Sequence, residues 1–138
     1  MITLILGKKG SGKTKRLVAM CEEATVASKG NVVFIEKGET LTFNLNHQTR
    51  LAVAEEYGVA GFDALYGFIA GLFAGNYDIT DVFVDQTLKI GGGDVEAFGD
   101  FIEKLAKLGD KVSAKMVLSI SADKDEIPEK VHEYVEEL

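Results

Sequence analysis

Short runs of consecutive apolar residues recur along the chain, each bounded by glycine or charge. "ITLIL" (2–6), "NVVFIE" (31–36), "DVFVD" (81–85) and "KMVLSIS" (115–121) have this form. Apolar side chains that do not alternate with polar ones predict strands covered on both faces, as in a parallel sheet. "LAVA" (51–54) is a shorter candidate of the same kind. "TLTFNLN" (40–46) differs, because Leu41, Phe43 and Leu45 alternate with polar residues. That period predicts a half-exposed strand or hairpin at a sheet edge, where a partner or substrate would dock.

Helical periodicity fills the intervals. Residues 13–29 place Leu17, Met20, Cys21 and Ala24 on one face, with Gly30 as a stop signal. Residues 61–75 align Phe62, Leu65, Ile69, Leu72 and Phe73, and Gly67, Gly71 and Gly75 suggest a closely approaching neighbour. Residues 94–108 open on Asp94 as an N-cap, gather Val95, Phe98, Ile102 and Leu105, and stop at Gly109. A last helix has Pro128 in its first turn and an apolar face of Val131, Tyr134, Val135 and Leu138. Strand and helix alternate without a linker or repeat. The expectation is one α/β domain, a three-layer α/β/α arrangement over residues 1–138 with a mostly parallel sheet of about five strands.

Composition narrows the partners. The 138 residues carry a formal net charge of −7, which disfavours a nonspecific grip on nucleic acid or an anionic membrane. The exception is local, since Lys8, Lys9, Lys13, Lys15 and Arg16 crowd around one glycine-rich loop. Cys21 is the sole cysteine, so no internal disulfide forms and a reducing cytoplasm fits. The apolar start is too short for a signal peptide. The long apolar stretch at 59–77 is interrupted by Asp63 and several glycines, which predicts a helix packed inside the protein and no membrane insertion.

That loop reads "GKKGSGKT" (7–14), the spacing G-x-x-x-x-G-K-[ST], between a predicted strand and a predicted helix. Gly7, Gly10 and Gly12 permit close backbone approach and unusual φ values. With Lys8, Lys9 and Ser11 between them, they form a cradle whose N–H groups converge on phosphate at a helix N-terminus. Lys13 is placed to reach the terminal phosphates. The Thr14 hydroxyl suits Mg²⁺, with water and phosphate oxygens completing the octahedron.

On these residues the chain resembles the P-loop NTPases, with "GKKGSGKT" as the Walker A motif. The resemblance implies binding of a nucleoside triphosphate with Mg²⁺. It also implies an aspartate at the end of a buried strand, and Asp85 in "TDVFVDQ" looks like this Walker B position, a second metal-site residue. Asp81 lies at the opposite end of that strand. In the RecA-like division a glutamate often follows that aspartate; here the place is held by Gln86, whose neutral amide orients water but takes no proton. RecA-like members also place a glutamate at the end of the strand after the P-loop helix. Glu36 stands there, as a candidate general base or as a surface carboxylate opening the loop "EKGET". A polar residue at the tip of the next strand would contact the γ-phosphate or water, which points to Ser119 or Ser121 and puts strand 115–121 between the other two.

No N-K-x-D guanine-reading motif occurs, so ATP is favoured over GTP. His47 and His132 are isolated, and the glycines at 91–93 read as a flexible link. Arg50 is a candidate finger toward a neighbouring subunit. The chain is also similar to small stand-alone bacterial P-loop proteins, some named after twitching-motility ATPases, although it opens at its P-loop strand and leaves no room for the additional domain of those motors. The leading expectation is a slow ATPase whose nucleotide state changes a contact with a protein partner, with homo-oligomerisation left open. The alternatives are a small-molecule kinase, for which an arginine-rich lid or metal-bound lasso is lacking, and a nucleotide-binding module without turnover.

Overall fold

A computed structural model describes residues 1–38 and 45–136, and these build a six-stranded, all-parallel sheet flanked by helices. In chain order the main elements are β1 (Ile2–Leu6), α1 (Lys13–Ala27), β2 (Asn31–Glu36), β3 (Thr49–Val53), α2 (Phe62–Gly75), β4 (Ile79–Val84), α3 (Thr87–Gly91), α4 (Val95–Val112), β5 (Lys115–Ile120) and β6 (Val135–Glu136). The strands lie in the order β3-β2-β4-β5-β1-β6, so β5 sits between β1 and β4 as expected.

Strand pleating divides the core in two. On one face Ile5, Val32, Phe34, Phe83 and Val117 meet Leu17 and Cys21 of α1. On the other, Leu4, Val33, Ile35, Val82, Val84, Met116, Leu118 and Ile120 pack against α2 and α4 through Leu65, Ile69, Phe98, Ile102 and Leu105. Consecutive apolar residues in β2, β4 and β5 are therefore needed, since neither face meets water. Within the apolar stretch at 59–77, Phe62, Leu65, Ile69 and Phe73 form the buried stripe of α2. Among the described residues no helix is long and apolar enough to cross a membrane.

Several expectations require correction. The predicted last helix, with Pro128 in its first turn, is instead a 3-10 segment, Glu129–Tyr134, followed by β6, which pairs with β1 through Leu4–Val135 and Ile5–Glu136; Leu138 lies outside the described residues. The hydrogen-bonding edge of β1 left open by β5 outweighs the helical spacing, and this sixth strand extends the expected sheet of about five. The glycines at 91–93 close a short helix, α3, rather than forming a link; Gly92 and Gly93 take positive φ as its ending. Gly109 does not stop α4, which runs to Val112 because Gly109 is buried beside Met1 and Met116. Among the described residues nothing lies within 4 Å of a methyl group added at Gly67, Gly71 or Gly75, so no closely approaching neighbour explains them. Asp94 caps α4 as its sequence predicts, accepting from the N–H groups of Glu96 and Ala97 at 3.0 and 3.1 Å. The alternating segment 40–46 lies outside the described residues except for Leu45 and Asn46.

Candidate functional site

The loop 7–12 leaves the C-terminal end of β1 and turns directly into the first turn of α1. The Gly7 N–H still continues the sheet, donating to the Ile120 carbonyl at 3.2 Å. The chain then folds back, with Ser11 N–H donating to the Lys8 carbonyl at 3.0 Å. Gly10 and Gly12 sit at φ 85° and 87°, the left-handed region that a side chain resists. Gly12 is also the N-cap residue of α1, whose macrodipole gives that end roughly half a positive charge. Lys8, Lys9, Gly10 and Ser11 are exposed on the loop.

Lys13 and Thr14 open α1 and point into the molecule. Lys13 is 8 % exposed, and its Nζ donates to the Lys8 carbonyl at 3.4 Å. Burial lowers its pKa from the ordinary 10.5; the Asp85 charge opposes that shift and Lys89 adds to it. The Thr14 hydroxyl donates to Asp85, with Oγ1 3.0 Å from Oδ2 and 3.2 Å from Oδ1. Asp85 follows the last residue of β4, is 1 % exposed, and is held to β2 by its N–H to the Ile35 carbonyl at 2.9 Å.

Ser119 completes the group. Its pleat position in β5 faces α1, opposite Ile5 of β1, whereas Ser121 is exposed beyond the strand. The Ser119 hydroxyl donates to Asp85 Oδ1 at 2.5 Å and accepts the Gln86 N–H at 3.1 Å. Gln86 takes the left-handed conformation, φ 55° and ψ 44°, a conformation uncommon outside glycine, and it caps α3. Glu36 ends β2 one register step beyond the Ile35–Val84 pair and so stands beside Asp85 on the same pleated face. It is 2 % exposed, which overturns its reading as a surface carboxylate. The fold thus gathers Lys13, Thr14, Glu36, Asp85, Gln86 and Ser119 at the C-terminal edge of four adjacent strands, next to the glycine loop.

Two features had no sequence signal strong enough to find them. Lys89, on α3, lies close enough to Lys13 to act on its charge. The turn after β5 sends Asp123 to Lys8 at 3.5 Å, and Glu136 of β6 holds Arg16 at 3.0 Å, so both flanks of the basic loop carry exposed ion pairs. Asp123, Asp125 and Glu126 bring carboxylate oxygens within 4.8 Å of one another on an exposed turn. Arg50 is on β3, at the far edge of the sheet, where it donates to the Tyr57 hydroxyl at 3.3 Å. His47 is exposed and His132 contacts the Ile127 carbonyl, both away from the site. Asp81 accepts from the Thr80 hydroxyl at 2.6 Å at the opposite end of β4.

A cleft of about 190 Å³ opens beside Gly7, lined by Leu6, Ala122, Asp123 and Val135 among others. A larger hollow of about 470 Å³ lies between α4 and residues 125–130, away from the loop. Chemically, the site offers a hydroxyl in contact with a buried carboxylate, and a buried cation beside them, at the positively polarised end of a helix. Hard oxygen donors of this kind suit Mg²⁺ better than a soft metal. No protein-family model and no curated protein sequence matches the chain.

Proposed function

We propose that this chain is a Mg²⁺-dependent, ATP-binding protein of the P-loop NTPase type that hydrolyses ATP slowly in the cytoplasm and signals its nucleotide state to a protein partner. The observation that carries the reading is the Thr14–Asp85 hydrogen bond, which joins the start of α1 to the tip of β4 directly behind Lys13. A glycine turn with no ligand has no need of a buried lysine and a buried aspartate at its back, since each costs desolvation energy.

Loop N–H groups and Lys13 would hold the phosphates, with Lys8 and Lys9 adding charge at the rim. Thr14 and Asp85 would hold Mg²⁺, which when bound neutralises charge on the phosphate oxygens. Ser119 fixes the Asp85 carboxylate through one oxygen and the Gln86 backbone through its own lone pair. Glu36 is the group in reach that takes a proton, and it orients and deprotonates the attacking water. The side chain after Asp85 is the neutral Gln86 amide, which cannot serve as base, and this favours slow turnover. The same observation supports a second reading, a nucleotide-held module without turnover. The absence of a guanine-reading motif favours ATP over GTP.

Calorimetric titration with Mg·ATP and Mg·GTP, following phosphate release in the same samples, tests the reading. ATP binding with slow release is expected. Lys13→Ala abolishes binding, whereas Glu36→Gln retains binding and lowers release by about 100-fold, the scale of a general base. Undiminished affinity in Lys13→Ala would sink the nucleotide assignment. Binding without release selects the module reading, and ADP production that appears only with an added hydroxyl acceptor, without free phosphate, selects a kinase.

A further inference from the structure

We propose that a hollow on the α1 side of the sheet, at the strand ends remote from the glycine loop, binds a free apolar amino acid, its ammonium on Asp81 and its carboxylate on Lys115. The inference is independent of the nucleotide reading. The hollow has a volume of about 530 Å³, within the range of about 300–1,000 Å³ usual for small-molecule sites. Ala24, Ala27 and Ser28 line it with short side chains, so the C-terminal half of α1 does not fill the space above β4 and β5. The floor has two rows. Parallel register sets Asp81 beside Lys115 and, two residues along the same face, Phe83 beside Val117. Phe83 and Val117 belong to the apolar layer under α1, and Met20 adds an apolar wall. Neighbouring strands are about 4.8 Å apart and the two rows about 7 Å apart. An α-amino acid repeats this layout, with opposite charges on one carbon and an apolar group to one side.

The carboxylate of the charged row is held in place. Gly30 N–H donates to the Ser28 hydroxyl at 3.0 Å, the Ser28 and Thr80 hydroxyls are 2.5 Å apart, and the Thr80 hydroxyl donates to Asp81 Oδ1 at 2.6 Å. This chain fixes Asp81 through one oxygen, and among the described residues nothing donates to its Oδ2. Asp81 and Lys115 are register partners, yet no ion pair among the described residues joins them or holds Lys115 to another carboxylate. An acceptor and a donor of opposite charge, side by side with bonding capacity left over, match a ligand that carries both charges itself. A ligand with no charge would leave that row unanswered, and an inorganic ion would leave the apolar row unused. Glu23 at the wall adds negative charge near the ammonium end.

The test is NMR of methyl-labelled methionine in the full chain, titrated with leucine and with phenylalanine to about 10 mM, enough to detect millimolar dissociation constants. Of the three methionines, Met1 and Met20 line the hollow, whereas Met116 is buried on the other side of the sheet and serves as the control. Saturable movement of the Met1 and Met20 signals, with Met116 fixed, is expected for one or both amino acids. Phenethylamine and phenylpropionate, each lacking one of the charges, should bind about tenfold more weakly than phenylalanine, the effect of one charge-assisted contact. Asp81→Asn, which keeps an acceptor for Thr80, and Lys115→Gln, a change at an exposed residue, should each lose affinity by about the same factor. No movement with either amino acid, equal movement of all three methyl signals, or undiminished affinity in Lys115→Gln overturns the proposal. A Met20 signal that moves when protein concentration alone is raised places a second copy of the chain in the hollow, and overturns it as well.

Discussion

At Lys13, burial and charge oppose each other, and the balance has a measurable consequence. Burial lowers the pKa of the free protein's ammonium below the ordinary 10.5, with Lys89 adding to the shift and Asp85 opposing it. Bound phosphate favours the protonated form, so the pKa of Lys13 in the complex must rise. By linkage, affinity is full where the free protein already holds the proton and falls as pH climbs through the lowered pKa. Above that point each binding event takes up one proton, and affinity drops by about tenfold per pH unit. Calorimetry in two buffers of different ionisation enthalpy should show this uptake beginning below the pH expected of an ordinary lysine. An affinity that stays flat across the alkaline range would remove the Lys13 ammonium from phosphate binding. Cys21, by contrast, has its thiol pushed up to about 11 by burial and is inert packing between α1 and the sheet.

Among the elements, glycines mark where an added side chain has room and where it does not. In α2, a methyl group added at Gly67 meets nothing among the described residues, and the glycine is exposed inside the helix. Gly67→Ala should stabilise the protein by about 0.5–1 kcal/mol, the cost of glycine relative to alanine in a helix. Gly30, between α1 and β2, is the opposite case, because a methyl there would collide with the backbone carbonyl of Asp78. Gly30→Ala should cost about 1–3 kcal/mol through forced backbone displacement. Urea unfolding midpoints at constant slope check both, and destabilisation at Gly67 would show that a neighbour covers that face of α2. The sequence pattern located β1, β2, β5, α1 and α2 nearly to the residue, because long buried runs and wide apolar stripes leave one choice. It could not locate α3 or β6. A five-residue helix has no full period to read, and a two-residue strand exists only because β1 offers an edge.

For the whole molecule, sheet order makes a site out of separate signals. Thr14 and Asp85 are 71 residues apart and meet because β5 alone separates β1 from β4. The end of β5 at Ile120 leaves Ser119 inside the strand and Ser121 exposed beyond it, and pleating turns Glu36 inward, two distinctions that strand-end positions in a sequence do not make. The motif residues were legible because a glycine loop between strand and helix has few other uses. The effect of Lys89 on Lys13 was not, since it depends on where the short α3 lies. The resulting site ties the start of α1 to β2, β4 and β5, so a ligand that strengthens it should stabilise the entire fold. At a Mg·ATP concentration of 100 times its dissociation constant, the gain is about 2.7 kcal/mol. With a ΔΔG of 1 kcal/mol moving the midpoint by about 2–8 °C across domain sizes from 60 to 250 residues, that is an easily resolved rise in Tm. Lys13→Ala changes the midpoint of the free protein through the lost packing of its stem, but Mg·ATP should then leave that midpoint where it is. A shift of equal size in wild type and Lys13→Ala would mean that the nucleotide stabilises the chain from somewhere other than the glycine loop.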